Sequence, residues 1–163
     1  MSVMIKTSVC HLLVMVSVIV GACDTKTSNP KKENLVCTYE GDYVTDGYAR
    51  RAEGYDWSVV SITRLTDSAV NVSVRSRADI KKGSCSFDAT AFFRTEDTLV
   101  AKYEDADIFF VISSDTLEIS SDTPGLLYFF CSGGGTLAGE YIKLHERLDV
   151  SQLVDKTAFP EYR

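Results

Sequence analysis

Few side chains in this sequence can do chemistry, and their placement narrows what that chemistry is. The 163-residue chain holds two histidines. His11 lies in an apolar N-terminal run, which leaves His145, between Leu144 and Glu146, as the one imidazole beyond it. A triad or a His-based metal site would rest on that residue alone, and its flanks read as the surface end of a strand. Glu104, Asp105 and Asp107 share one loop and offer carboxylate oxygens to a hard cation, but their spacing is not that of an EF-hand loop and reads as a solvated acidic turn. Gly133-Gly134-Gly135 follows Cys131 and exposes backbone N–H groups, yet no helix pattern comes after it, so it reads as a hairpin turn. HExxH, GxSxG, CxxC and P-loop patterns are all missing from the sequence. The expectation is a protein with no catalytic residue, no metal and no cofactor: not an enzyme.

The five cysteines carry more information. Lys6 gives a positive start, residues 12–20 (Leu-Leu-Val-Met-Val-Ser-Val-Ile-Val) give a short apolar middle, and Gly21-Ala22 gives a small-residue end before Cys23. That is the composition of a secretory signal. The apolar stretch from Ser8 to Ala22 falls short of the roughly 20 residues a membrane-crossing helix needs. Val20-Gly21-Ala22-Cys23 resembles the lipobox of bacterial lipoproteins, in which a peptidase cuts before a lipidated cysteine. The resemblance implies residues 1–22 as signal peptide, lipidation at Cys23, and stable anchoring through more than one acyl chain. The implied place is the bacterial cell envelope, at the inner or outer membrane, with the domain in the periplasm or at the cell surface. Residues 24–34 are polar and without apolar periodicity, so 23–34 reads as lipidated cysteine plus flexible tether.

Export places the remaining cysteines in an oxidising compartment. Cys10 leaves with the signal and Cys23 carries lipid, so Cys37, Cys85 and Cys131 can form one disulfide in three ways. Cys85 with Cys131 is preferred because both lie in the strand-rich C-terminal half. Cys37 with Cys131, tying the first strand to the last, is the alternative.

From residue 35 to 163 the periodicity becomes that of strands. Val70, Val72 and Val74 alternate with Asn71 and Ser73, and β-branched and aromatic runs recur at 35–39, 58–62, 69–74, 85–92, 98–103, 108–112, 116–119, 126–130 and 137–142. Turn formers such as Thr66-Asp67-Ser68, Glu104-Asp105, Ser114-Asp115 and Pro124-Gly125 separate them. Short strands at this spacing, without long helices between, predict an all-β fold: a single antiparallel barrel or sandwich of about eight strands. Leu148, Val150, Leu153 and Val154 predict a short C-terminal helix over 148–156. Phe92, Phe93, Phe109, Phe110, Phe129 and Phe130 form adjacent pairs, which place one ring on each face of a strand. They are candidates to line a hollow barrel and hold a small apolar ligand.

A 45% hydrophobic, 25% charged composition excludes a disordered chain. The whole chain carries a formal charge of −6, with 17 basic and 23 acidic residues; without Lys6, 16 against 23 leaves −7. This argues against nucleic acid and favours a basic partner. Between residues 42 and 57 lie Tyr43, Tyr48, Arg50, Arg51, Tyr55 and Trp57, the residue types that dominate protein interfaces. Glycines at 41, 47 and 54 suggest that this segment loops. It is the candidate protein-binding region.

The stretch from Cys85-Ser86-Phe87-Asp88-Ala89-Thr90-Ala91 through Cys131-Ser132-Gly133-Gly134-Gly135-Thr136-Leu137-Ala138-Gly139-Glu140-Tyr141 resembles small periplasmic β-barrel modules, and is similar to the membrane-bound lysozyme inhibitors. Those are lipoproteins with an eight-stranded barrel and a disulfide. The resemblance implies an inhibitor of a basic hydrolase such as lysozyme, or of a toxin. A structural or assembly subunit of an envelope or secretion complex, and a carrier of a small apolar ligand, are the alternatives.

Overall fold

The computed structural model describes residues 38–77, 84–153 and 155–156. Eight antiparallel strands follow one another in chain order around a closed barrel: β1 (Gly41–Val44), β2 (Ser58–Arg64), β3 (Ala69–Ser76), β4 (Ser86–Phe93), β5 (Thr98–Tyr103), β6 (Ala106–Ser113), β7 (Thr116–Ser121) and β8 (Gly139–Lys143). Closure comes from β1 on β8, where Tyr43 faces Lys143 and Val44 faces Ile142. Two connections are tight two-residue hairpins, and in each the first loop residue has positive φ, Glu104 at 52° and Ser114 at 54°. Primed turns of that kind match the right-handed twist of the strands they join.

Alternation fills the barrel. Val60, Ile62, Val70, Val72, Val74, Leu99, Ala101, Ile108, Phe110, Leu117 and Tyr141 all point inward and are buried together. Eight strands leave an interior just wide enough for side chains, and here they occupy it. Tyr43 and Tyr141 bring hydroxyls into this core, and each donates to a carbonyl, Tyr43 to Tyr39 at 2.9 Å and Tyr141 to Leu137 at 3.0 Å. Burial pushes the Tyr141 phenol up to about 12, so it stays a donor under ordinary conditions.

The barrel is not evenly laced. Between β4 and β5 only Ala91, Phe92 and Phe93 pair, with Ala101, Val100 and Leu99, although both strands run on toward the same end. A short helix, α1 (Leu126–Phe129), closes that split. The Phe130 ring sits edge-on to Phe87 and to Tyr103, 4.8 Å from each, and its carbonyl accepts from the Ser86 N–H at 3.0 Å. The Cys85–Cys131 disulfide joins the start of β4 to the end of this plug. With its ends 46 positions apart in the chain, the bridge is worth about 4 kcal/mol in the chain-entropy account. It also decides the pairing, and Cys37 with Cys131 is excluded; Cys37 itself lies outside the described residues, as does the Cys23 lipidation site.

A second apolar cluster lies on the outer wall. Val44 and Val59 point outward and are covered by Tyr48 and Trp57 on one side and by Leu148 and Leu153 on the other. The C-terminal segment is strapped down by polar contacts. The Trp57 indole N–H donates to Gln152 at 2.9 Å, and the Asp149 N–H donates to the Tyr48 hydroxyl at 2.7 Å. Arg75, buried on the outer face of β3, pairs with Asp88 at 2.7 Å and with Asp155 at 3.0 Å.

Three expectations need correction. The run 126–130 is not a strand: Leu127 and Phe130, three apart, face the core while Tyr128 and Phe129 face solvent, a helical spacing that a continuous apolar run conceals. The C-terminal helix over 148–156 is reduced to one 3-10 turn, Val150–Gln152, because Asp149 caps it through Ser151 and Leu153 turns back to pair with Arg77. Val154 lies outside the described residues. Thr38 and Tyr39 are helical, and the first strand is Gly41–Val44, whose leading Gly-Asp reads as a turn in sequence.

The strap makes an acid-sensitivity prediction. The Ser151 hydroxyl and N–H, with Arg51 adding to them, hold the Asp149 carboxyl below its ordinary value. The unfolded strap then binds the proton more readily, so this contribution is present above about pH 4 and is lost as pH falls through the folded value. Trp57 fluorescence followed from pH 7 to pH 2 should show the strap loosening at low pH before the barrel core unfolds.

Candidate functional site

The segment nominated as the binding region divides in two. After β1 the chain forms a 3-10 helix, Asp46–Glu53, kinked at Arg50, whose backbone leaves helical geometry. It packs so closely on the following chain that a Cβ on Gly47 would stand 1.9 Å from the Asp56 carbonyl oxygen, so only glycine fits. This packing buries Tyr48 and Trp57, whose rings meet edge-on at 4.8 Å, while Tyr43 is fully buried inside the barrel. Those three rings are core, and as partner contacts they are corrected. The segment is rich in aromatics because it must cover Val44 and Val59.

What stays outside is a smaller constellation. Tyr55 is 43% exposed, and the Arg50 guanidinium lies over its ring at 3.6 Å while also bonding Glu53 at 2.8 Å. Together with Asp46 and Asp56 they line an open cleft of about 470 Å³. Arg51 is half-buried: its guanidinium covers the Tyr48 ring at 4.1 Å, donates to the Tyr48 carbonyl and reaches Asp149 at 3.5 Å. It serves the strap. The cleft therefore presents one rigid aromatic ring and one oriented cation within an acidic rim, a surface suited to a polar or basic protein group.

The other nominated chemistry disperses. Asp107 turns away from the Glu104-Asp105 hairpin to pair with Lys102 at 2.5 Å. Among the described residues no three His, Cys, Asp or Glu side chains are grouped to hold a metal ion. His145 is largely exposed, with Nε2 3.2 Å from Asp115. Gly133 and Gly134 make the turn that leads from α1 toward β8, with positive φ at both, and do not form a hairpin.

Of the six paired phenylalanines only Phe110 is fully interior. Phe93 and Phe130 pack against the core from its ends, Phe109 sits on the wall 5.7 Å from the Arg94 guanidinium, and Phe92 and Phe129 face outward. They fill or flank the barrel and do not enclose a cavity. The surface that sequence reasoning missed is α1, where Tyr128 and Phe129 are the most exposed adjacent aromatics among the described residues. Pro124-Gly125 before the run, and the i, i+3 spacing of Leu127 and Phe130, were the available signals for a helix. No protein family, curated protein or solved structure matches the chain.

Two substitutions separate covering from contact. Trp57→Ala removes a buried ring and its bond to Gln152 and should cost about 3 to 5 kcal/mol in denaturant unfolding. Tyr55→Ala, at a half-exposed ring, should stay within about 1 kcal/mol of the parent.

Proposed function

We propose that this protein is a lipid-anchored protein of the bacterial envelope that acts without catalysis, by binding another protein, with a basic hydrolase such as lysozyme or a basic toxin as the partner class. The observation that carries the reading is the Arg50–Tyr55 pair standing in a cleft rimmed by Asp46, Glu53 and Asp56. The filled barrel supports it, because binding energy has to be made on the outside of the molecule. Charge supports it too: 21 of the 23 acidic residues and 13 of the 17 basic ones lie from residue 35 onward, a balance of −8 for the domain. Such a surface steers a cationic protein toward itself and repels nucleic acid. Anchoring rests on Cys23, and the described chain enters the barrel at Thr38, beside Lys143, whose Nζ donates to the Thr38 carbonyl at 2.6 Å. That is the end opposite the Arg50–Tyr55 cleft.

The test has two arms. Expressed in a Gram-negative host, the full chain should fractionate with membranes and carry acyl chains by mass spectrometry, and Cys23→Ser should appear unacylated with residues 1–22 uncut; an unacylated parent removes the anchoring half of the reading. In titration calorimetry the detergent-solubilised chain should bind a basic lysozyme, weaken steeply with added salt, and lose about tenfold in affinity with Tyr55→Ala. Binding absent at low salt removes the lysozyme-type partner.

A further inference from the structure

A pair of exposed aromatic side chains stands at the same barrel end. The connections after β1, β5 and β7 all lie there: the 3-10 helix, the Glu104-Asp105 turn and α1. On α1, Tyr128 is 58% and Phe129 71% exposed. Two large aromatics held out to water are costly to leave uncovered, since each would hide well over 100 Å² on burial. They are also held rigidly. Phe130, next in the chain, is wedged between Phe87 and Tyr103; Cys131 is bonded to Cys85; and the Leu127 carbonyl accepts from the Leu137 N–H at 3.1 Å. The Phe129 ring itself leans on Tyr103 at 5.8 Å and on Phe130 at 5.5 Å. Side chains fixed before binding lose little entropy when a partner arrives.

Acidic residues border this knuckle among the described residues. Tyr103, which Phe129 touches, leads directly into the exposed Glu104 and Asp105, and Asp122 precedes α1. Tyr128 lines a groove of about 340 Å³ together with Glu118, Ser120, Thr123 and Thr136. Glu118 stands directly across the strands from Glu140, both exposed. Like charges placed opposite each other in a sheet cost stability, and a cation seated beside them recovers it. Lys102, two residues before the Glu104-Asp105 turn, is engaged by Asp107.

We infer that the Tyr128–Phe129 knuckle and its adjoining groove dock a segment of a partner protein that carries lysine or arginine among apolar side chains, the apolar groups covering the two rings and the cations meeting Glu104, Asp105 and Glu118. Charge complementarity selects this occupant. A second copy would set carboxylates against carboxylates, and an anionic bilayer surface would be repelled. The inference rests on the protein-binding reading above and locates a further contact for it, independent of the Arg50–Tyr55 cleft.

The probe is a fluorescein-labelled peptide alternating lysine and leucine, titrated by anisotropy against the full chain in detergent micelles. A peptide of the same length and charge with serine in place of leucine reports the purely Coulombic component. The leucine peptide should bind more tightly than the serine one. Phe129→Ser and Tyr128→Ser should each weaken it about tenfold, Glu104→Gln with Asp105→Asn several-fold at low salt, and Tyr55→Ala less than about twofold. Both aromatic positions are exposed, so these variants keep the fold, which an unchanged thermal midpoint checks. Equal binding of the two peptides, or indifference to Phe129→Ser, overturns the inference and leaves the wider reading standing on the lysozyme titration. Loss of peptide binding with Tyr55→Ala alone also overturns it, by assigning the contact to the other cleft. Phe129-dependent dimerisation in sedimentation, or flotation with phosphatidylglycerol vesicles that Phe129→Ser abolishes, assigns the knuckle to a second copy or to lipid and overturns it likewise.

Discussion

The split between β4 and β5, and the way Phe130 and the Cys85–Cys131 bond close it, is the constraint on which the rest of the structure turns. An eight-stranded barrel abolishes sheet edges only if every neighbouring pair is laced along its length. Here the pairing of β4 with β5 stops after Phe93, Phe92 and Ala91, and the chain that returns from β7 supplies what is missing. It places an aromatic ring in the opening, a carbonyl on Ser86 and a covalent bond to Cys85. The same fastening turns Tyr128 and Phe129 outward and holds them there. One interaction therefore completes the core and shapes the surface.

A filled interior changes what such a barrel can do. Ligand carriers of similar strand number keep a cavity; this chain fills it with Phe110, Tyr43, Leu99 and their neighbours. Recognition is left to the rim and the wall. The wall is occupied in part by the strap, where Trp57, Tyr48 and Leu153 cover Val44 and Val59. The rim at the far end from Thr38 carries the cleft, the acidic turn and the knuckle together.

Strand content was legible because alternation is a local pattern. Val70, Val72 and Val74 announce β3, and Glu104-Asp105 and Ser114-Asp115 announce their hairpins. The disulfide was legible as a preference, because Cys85 and Cys131 both border strand-rich sequence. What escaped was set by tertiary context. Leu126 to Phe130 is apolar throughout, and whether it forms strand or helix depends on the split that it fills. Tyr43, Tyr48 and Trp57 have interface composition, yet a ring's neighbours decide whether it is a contact or a cover, and those neighbours come from Leu148 and Leu153, about a hundred residues away. The C-terminal helix failed for a related reason: Arg77 draws Leu153 into an extended pairing, which outweighs a weak helical spacing.

Site-resolved amide hydrogen exchange on the oxidised and the reduced protein tests this account most directly. The reporters are the N–H groups of Ser86, Ser132 and Leu137, which bond Phe130, Ser84 and Leu127, with those of Val72 and Ile108 in the barrel wall as reference. The account predicts slow exchange at all of these positions when the Cys85–Cys131 bond is intact. On reduction it predicts a selective loss of protection at Ser86, Ser132 and Leu137. Fast exchange at those three already in the oxidised protein, or exchange unchanged by reduction, would contradict the claim that this bond fixes the plug and the surface it presents.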